Sequence, residues 1–533
     1  MTFYYNSNPT VLHLLSVLPS ETKTMANMSH YFELQGHLTT ENLIAELSDR
    51  VNVQLVSQNY ALKTYYDSFD WRLYSGGILC ELNQSKSTSR LILKDNQSEQ
   101  TLASVPIDTV PAFANEFNNA KIRKLVSPLL EMRALLPVTT LDYTLYKLNI
   151  LNRDEKTILR IIIETYDLIQ SRINLEPIKG YDKALTQVSK ILTQLGLKQS
   201  TDSILVDALK TQGRKPKDYS SKLNIELAPD IRADVAVKYI FSHLLKTIKI
   251  NEQGTIANID SEFLHDFRVA VRRTRSGLSQ LKEVLPELET TRFSQYFAWL
   301  GQLTNQTRDL DVYLVNFDTY KNSLPVTLRK DLDPLHDFLT VKQEQAHKAL
   351  AKKLKSSVYI TPLIEWEEFL KTPAIKKPSE AHAGQPVKRL ADRRIWKVYR
   401  RIIKQGNQIT DQSPGQDLHD LRKTCKKLRY LMEFFQSLYP EKKIKPLIKS
   451  LKDFQEILGD YQDTEVQEQT LKRFSEEMMD NQIPANTFLA MGVLIQNLVH
   501  RRDRARKAFA SKFEAFKQAE NQTAFEGLFR NYG

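Results

Sequence analysis

The stretch FLHDFRVAVRRTRSGL, residues 263–278, places basic and apolar residues at a spacing that predicts an α-helix with two different faces. At roughly 100° per residue, one sector of roughly 80° is basic. It holds His265, Arg268, Arg272 and Arg275. The neighbouring sector is apolar and predicts a face packed on a core. It holds Leu264, Phe267, Val271 and Leu278. The basic stripe alone does not distinguish a solvated face from an anion-binding surface, because helices in water need a polar side.

The same pattern returns in LHDLRKTCKKLRYLM, residues 418–432, at an offset of 154 residues and without a gap. Matched positions keep their charge type: His265 with His419, Asp266 with Asp420, Arg268 with Arg422, Arg272 with Lys426, Arg273 with Lys427, and Arg275 with Arg429. The register continues to Pro286 with Pro440 and to Asp309 with Asp463. This indicates an internal duplication. Apolar positions drift more than the basic ones, which favours a function beyond packing.

Composition places the chain among globular proteins of two or three domains. It has 533 residues, 41% hydrophobic and 26% charged. No apolar run approaches the roughly 18 residues that span a bilayer, and the first residues lack the pattern of a signal peptide. Residues 1–29 are predicted to be a flexible extension. Cys80 and Cys425 form neither a disulfide framework nor a zinc site, and we expect a cytoplasmic protein.

The net charge of +12 is concentrated in the second half of the chain. Residues 1–227 carry 25 Lys and Arg against 24 Asp and Glu, whereas residues 228–533 carry 50 against 39. The duplicated half therefore holds a net charge of +11, which predicts an anionic partner.

The texture of the sequence changes between the two halves. Residues 30–165 hold short apolar alternations separated by turn signals such as Gly76-Gly77, which is typical of antiparallel strands. Residues 181–211 are predicted to be helical, and from residue 229 onward the pattern predicts one helix after another. The expected fold is therefore an α+β multidomain protein, with a mostly β first domain followed by an all-α domain.

At these residues the chain resembles two known families. The repeated His-Asp-x-Arg helices and the later Asp309 and Asp463 resemble the CHAD domain, the conserved histidine α-helical domain, over residues 229–520. The resemblance implies two pseudo-symmetric four-helix bundles, at about 229–375 and 385–520, with basic faces on one shared surface that binds inorganic polyphosphate. Residues 521–533 are then a C-terminal tail. YYDSFDWRLYSGGILCEL and DYSSKL are similar to the CYTH domain, the β-tunnel of triphosphate-processing enzymes, over residues 30–226.

The first half departs from the CYTH pattern where that family has its catalytic residues. The family's Glu-x-Glu-x-Lys motif is reduced to Glu33, with Gln35 in the lysine position, and Glu81 and Asn83 stand where arginines are expected. The tunnel residues that match are Glu33, Lys94 and Arg133. Only Glu33 among them is a carboxylate, and a divalent cation needs more carboxylate ligands than one. We expect no cofactor and an inactive tunnel domain, with Mg²⁺ or Mn²⁺ required only if the protein is a triphosphate or polyphosphate hydrolase.

The predicted polyphosphate site combines the cations of both histidine helices with a third basic stripe. Its residues are His265, Arg268, Arg272, Arg273, Arg275, His419, Arg422, Lys426, Lys427, Arg429, Arg393, Lys397 and Arg400, with Asp309 and Asp463 in support. Arg offers bidentate contacts to phosphate oxygens and Lys adds point charges. No metal ligand is predicted. The segment at residues 500–509 is interpreted as an ordinary solvated helix face.

Several alternatives remain open from the sequence. The histidines fit donation to phosphate, a capping role at the helix start, or metal ligation. For the whole protein, a metal-dependent hydrolase and an RNA-binding protein compete with a polyphosphate binder. RNA is disfavoured because no aromatic residue interleaves the cations of the helix at residue 265. Neither the oligomeric state nor the preferred length of the polymer is predicted.

Overall fold

The computed structural model describes residues 31–34, 38–199, 203–479 and 483–530. These residues form two compact units, and the division follows Ser220. The predicted order, an antiparallel β domain followed by a helical domain, is confirmed. The division lies a few residues earlier than predicted, because Leu223, Ile225 and Leu227 are buried in the helical core. The predicted extension at residues 1–29 and the position of Gln35 lie outside the described residues.

The N-terminal unit is built on one antiparallel sheet. The described strands are β1 Tyr31–Leu34, β2 Asn52–Asp67, β3 Ile78–Ser85, β4 Ser89–Asp95, β5 Thr101–Pro106, β6 Leu136–Leu151, β7 Thr157–Tyr166, β8 Ser171–Pro177 and β9 Lys198–Gln199. Their order in the sheet is β5-β4-β3-β2-β6-β7-β8-β1-β9. The longest strands, β2 and β6, pair from Asn52 opposite Leu151 to Asp67 opposite Leu136. Apolar side chains alternate along β7 as in TILRIIIETY, which lets one face pack on a core.

Five helices accompany this sheet in the described residues: α1 Thr40–Ser48, α2 Arg72–Ser75, α3 Ala120–Leu130, α4 Asp182–Gln194 and α5 Ile204–Thr211. α1 and α4 bury Leu43, Leu47 and Val188 in one cluster with residues of β6, β7 and β8. α3 buries Ile122 and Val126 in a second cluster with β3 and β4. The sheet is thus covered by separate apolar clusters rather than by one core.

The helical unit contains the following α-helices in its described part: α6 Ala233–Ala257, α7 Ser261–Gln280, α8 Glu287–Leu303, α9 Asn305–Val315, α10 Phe317–Asn322, α11 Asp333–Leu354, α12 Ser357–Lys371, α13 Val387–Gln408, α14 Gly415–Phe435, α15 Glu441–Met478, α16 Ala485–Phe516 and α17 Ala519–Phe529. None of the helices in these ranges is both long and apolar enough to cross a membrane.

The helix boundaries reproduce the duplication. α6 and α13 begin at 233 and 387, α7 and α14 at 261 and 415, and α8 and α15 at 287 and 441, so each pair is offset by 154 residues. Arg232 forms an isolated antiparallel bridge with Pro386, its own equivalent in the second repeat. The flanking hydrogen bonds, Ala233 N to Gln385 O and Val387 N to Ile231 O, are exchanged by the same offset. A pseudo-two-fold axis therefore passes through this bridge.

The two repeats share one apolar core instead of two separate bundle cores. One buried cluster contains Phe241 and Phe267 from the first repeat together with Leu428 and Phe454 from the second. A second cluster joins α9, α10 and α11 to the distal parts of α15 and α16. The predicted apolar face of residues 263–278 is confirmed, because Leu264, Phe267, Val271 and Leu278 are all buried.

The predicted C-terminal tail from residue 521 is wrong over its described part. α17 extends to Phe529, and Phe525 and Phe529 are fully buried. The Phe525 ring stacks on Tyr399 with centroids 4.0 Å apart, and Phe529 meets Tyr439 edge-on at 4.9 Å. Aromatic packing of this kind makes residues 521–529 part of the helical unit.

Candidate anion-binding site

His265 and His419, which occupy equivalent positions in the two repeats, make equivalent contacts. His265 Nδ1 lies 2.9 Å from Arg308 Nη2 and accepts its hydrogen bond, while His419 Nδ1 lies 2.5 Å from Gln462 Oε1 and donates to it. Arg308 and Gln462 are themselves 154 residues apart. Burial, which outweighs the bond to Gln462, lowers the pKa of His419 and favours the neutral ring. His265 thus connects α7 to α9, and His419 connects α14 to α15, each within its own repeat.

Neither histidine caps its helix. The start of α7 is capped by Asp260, whose carboxylate accepts from the backbone N–H groups of Glu262 and Phe263. α14 follows Pro414, which offers no side-chain cap, and His419 is occupied with Gln462. Within the described residues, no three His, Cys, Asp or Glu side chains are grouped so that they could hold a metal ion.

Arg268 and Arg422 lie beneath the surface, which differs from the helical-wheel prediction that placed them on it. Arg268 donates to Gly301 O, Thr304 Oγ1 and Asn305 Oδ1. Arg422 pairs with Asp463, with Nη2 3.0 Å from Oδ1. Burial lowers the pKa of Arg268 with help from Arg272, so its guanidinium needs these acceptors. Both arginines thus lie beneath the cationic surface and connect the histidine helices to neighbouring parts of the helical unit.

Arg272 and Lys426, which occupy equivalent positions in the two repeats, come together where α7 contacts α14. Both side chains are half-buried, and neither has an ion pair or hydrogen bond with the part of the chain that the structure describes. Burial, together with Arg422 and Arg272, lowers the pKa of Lys426 to about 7, against an opposing effect of Asp463. The pair therefore concentrates positive charge and has no ion-pair partner among the described residues.

The remaining predicted cations of the histidine helices differ in their surroundings. Arg273 donates to Ser221 O and to Glu433, and Arg429 also lies against Glu433. Arg275 is exposed and packs on Gly301, where a Cβ atom would lie 2.9 Å from its Nη1. Lys427 is half-buried, and burial followed by Arg401 and Lys423 lowers its pKa.

A buried tyrosine reports the positive potential between the helices. Tyr430 is 4% exposed, and its hydroxyl has no hydrogen-bond partner among the described residues. Burial raises the pKa of a phenol, yet Arg272, Arg429 and Arg273 outweigh it and lower the pKa of Tyr430. Sequence reasoning missed Tyr430 and Glu433, which follow the histidine motif by three to four helical turns and have no charged or aromatic equivalent in the first repeat.

The third basic stripe lies on α13, which packs against α14. Arg393 is half-buried with one Nη atom unpartnered, and Lys397 and Arg400 are exposed. The α13 residue close enough to lower the pKa of Lys427 is Arg401, the neighbour of Arg400. The sequence analysis missed Arg401 because its helical-wheel position lies beside the stripe.

The two supporting aspartates face each other across the repeats. Asp463 pairs with Arg422, whereas burial raises the pKa of Asp309, against Arg268 and Arg308 and with a further contribution from Asp463. Asp309 also lines a cavity of about 440 Å³ with Asn305 and Tyr313. Asp463 thus neutralises Arg422, and the predicted supporting role of the two carboxylates in a site stays a prediction.

The three residues matched to tunnel positions, Glu33, Lys94 and Arg133, all form ion pairs within the N-terminal unit. Lys94 Nζ lies 2.7 Å from Glu81, Arg133 Nε 3.4 Å from Asp70, and Glu33 3.4 Å from Arg172. The sequence analysis also missed a buried ion pair. Lys63 is 2% exposed, reaches Glu164 at 2.6 Å and donates to the Tyr166 hydroxyl at 3.0 Å. Its inward position in the alternation of β2, between Ala61 and Tyr65, was the available signal.

A duplicated helical domain with basic histidine helices is the class of protein that this fold and site define. Residues 239–472 match the family model described as the CHAD domain, and this match spans both histidine helices. Over these residues the helical unit is therefore similar to the CHAD domain.

Similar solved structures fall into two groups. The crystal structure of the CHAD domain from the plant Ricinus communis is 23% identical, covering 55% of this chain and 95% of that chain with a TM-score of 0.47. PptA from Streptomyces chartreusis is 16% identical, covering 54% of this chain and 100% of that chain with a TM-score of 0.42.

The second group includes a putative adenylyl cyclase from Hippeastrum described as having a dominant triphosphatase activity. It is 12% identical and covers 36% of this chain and 99% of that chain, with a TM-score of 0.27. A comparison with curated proteins found no match.

Proposed function

We propose that the helical unit binds inorganic polyphosphate where α7 and α14 meet. The observation that carries this proposal is the pair Arg272 and Lys426. These two cations come from equivalent positions of the two repeats, lie close together and have no ion-pair partner in the described chain. Keeping them together without a ligand costs free energy, because burial and mutual repulsion both disfavour the charged forms. A polyanion that lies across both helices relieves this cost.

The chemistry of the site suits a linear chain of phosphates rather than one compact anion. Arg275 and Lys427 extend the cationic surface on either side of the central pair, and Lys397, Arg400 and Arg401 add exposed cations on α13. Charge-assisted hydrogen bonds contribute roughly 1.5–3 kcal/mol each in favourable settings. Binding of this kind releases counterions and weakens with added salt.

The N-terminal unit, in this proposal, has no triphosphatase activity. Its interior cations are neutralised: Lys63 by Glu164, and Lys94 by Glu81. Burial opposes ionisation of Glu164. The charge of Lys63 and the hydrogen bonds that Glu164 accepts from Lys63 and Tyr166 outweigh this and lower the pKa of Glu164, so Lys63 and Glu164 stay ionised. A triphosphate that bound to Lys63 or Lys94 would have to compete with Glu164 or Glu81 for that cation.

The ligand class is tested by competition on the full-length protein. Fluorescently labelled long-chain polyphosphate is bound to saturation, and unlabelled polyphosphate and single-stranded RNA are added at equal phosphate concentration. We expect polyphosphate to displace the probe at much lower concentration than RNA, because both phenylalanines of α7, Phe263 and Phe267, are buried and offer no surface for base stacking. Equal displacement by RNA would make the site a general polyanion surface and would contradict the proposal.

A further inference from the structure

Glu433 places a negative charge inside the cationic surface of the two histidine helices. It lies on α14, one turn after Arg429, and its side chain is 14% exposed. Arg273 on α7 donates to Glu433 Oε2 at 2.9 Å, and Arg429 Nε lies 3.5 Å from Oε1. One carboxylate thus bridges an arginine from each repeat.

The carboxylate of Glu433 is ionised. Its burial favours the neutral acid, but Arg273 and Arg429, followed by Lys452, lower its pKa. The surroundings remain positive even with this charge in place, since the same arginines lower the pKa of the neighbouring Tyr430. Glu433 therefore acts as a bound anion that the protein itself supplies.

The first repeat lacks this carboxylate. Position 279, which the offset of 154 matches with Glu433, is an exposed serine. Arg275, which matches Arg429, is exposed and has no ion pair among the described residues. Because α7 packs on the core without such a pair, the fold of a histidine helix does not require it. The difference lies in how many arginines are available to a ligand.

We propose that Glu433 determines how many cations polyphosphate can contact, by competing with phosphate oxygens for Arg273 and Arg429. This inference rests on the proposed function. With Glu433 present, the polymer contacts the uncompensated cations Arg272 and Lys426 and the exposed Arg275, and it gains little from Arg273. Without the carboxylate, Arg273, the more exposed of the two arginines, joins the binding surface.

The direct test is the full-length Glu433→Gln variant, since the amide keeps the shape of the side chain and still accepts from Arg273. Affinity for long-chain polyphosphate should rise about threefold to tenfold at low salt. The slope of log affinity against log salt should become steeper by about one. Glu520→Gln, which removes one exposed charge on α17, is the matched control and should leave both quantities unchanged.

Two further variants separate competition from a general charge effect. Arg273→Ala should cost little affinity in the wild-type background, and it should abolish the gain when combined with Glu433→Gln. Ser279→Glu places a carboxylate four residues after Arg275 and breaks no buried pair, so it tests the same idea in a chain whose packing is intact. It should weaken binding about threefold to tenfold, with a shallower salt slope, whereas Ser279→Gln should not.

The outcomes separate the two proposals. A wild-type chain that does not bind polyphosphate overturns the proposed function. A wild-type chain that binds it, with Glu433→Gln no tighter or with Ser279→Glu unchanged, overturns the role of Glu433 and leaves the proposed function in place. If Glu433→Gln loses its fold in thermal unfolding, Ser279→Glu decides the question alone.

Discussion

Lys426 is the residue at which the physical state of the free site is most informative. Burial and two neighbouring guanidinium groups lower its pKa to about 7, so near neutral pH the free protein carries this amine in both protonation states. A bound polyanion favours the charged amine. Binding above pH 7 therefore takes up a proton.

We predict a pH dependence of polyphosphate binding that originates at Lys426. Below pH 7 the amine is already charged and affinity changes little on its account. As pH rises from 7 to 9, the proton must be acquired on binding, and affinity falls by up to about tenfold per unit. Lys426→Arg keeps a permanently charged group and should flatten this decline. Dissociation constants measured from pH 7 to 9 at fixed ionic strength check this, and an equal decline in the arginine variant would contradict it.

At the scale of the element, two helices with nearly the same motif have different interiors. Arg268 on α7 donates hydrogen bonds to a carbonyl, a hydroxyl and a side-chain amide, whereas Arg422 on α14 donates to the carboxylate of Asp463. The equivalent of Asp463, Asp309, has no such bond with the described residues, and burial raises its pKa. The duplication has kept the helix and changed what anchors it.

This difference predicts unequal costs for equivalent mutations. Arg422→Ala leaves Asp463 as an uncompensated buried charge and should lower the free energy of unfolding of the helical unit by about 3–5 kcal/mol. Arg268→Ala, the matched variant in the first repeat, leaves neutral hydrogen-bond acceptors and breaks no ion pair in the described chain, so it should cost about 1–3 kcal/mol. Adding Asp463→Asn to Arg422→Ala should recover part of the loss. Chemical denaturation followed by circular dichroism measures these values, and equal losses for the two arginines would disprove the assignment.

The sequence determined the helices of the site better than the direction of their side chains. The 154-residue offset found in the sequence also separates the helix starts at 233 and 387 and at 261 and 415. The helical wheel placed Arg268 and Arg422 in one sector with Arg272, but it contains no information on the neighbouring helices that bury them. Glu433 and Arg401 were not predicted as site residues because their roles depend on contacts between helices. Glu433 accepts from Arg273 on α7, and Arg401 lies near Lys427 on α14, only in the folded protein.

At the scale of the whole molecule, the two units treat charge in opposite ways. The N-terminal unit pairs Lys63, Lys94 and Arg133 with its own carboxylates, while the helical unit leaves Arg272 and Lys426 unpaired in its described part. The resemblance to tunnel enzymes did not predict the ion pair between Lys63 and Glu164. Lys63 lies on β2 and Glu164 on β7, and β6 lies between these strands in the sheet, so the contact follows only from the strand order.

We predict that the purified protein, given Mg²⁺ or Mn²⁺, hydrolyses triphosphate no faster than the Glu33→Ala variant. Glu33 is the one carboxylate retained from the family motif, and it lies against Arg172. Release of orthophosphate over time measures the activity. Metal-dependent turnover that the Glu33→Ala substitution abolishes would show that the N-terminal unit is an active enzyme.

The central claim, that polyphosphate binds across α7 and α14, is tested most directly by the affinity of the full-length Arg272→Ala/Lys426→Ala variant for long-chain polyphosphate. The control is Lys352→Ala/Lys353→Ala, which removes two exposed cations from α11 and gives the same net charge. We predict a loss of at least about tenfold and a salt slope shallower by about two for the first variant, with little change in the control. Unaltered affinity in a folded Arg272→Ala/Lys426→Ala protein, or an equal loss in both variants, would contradict the account.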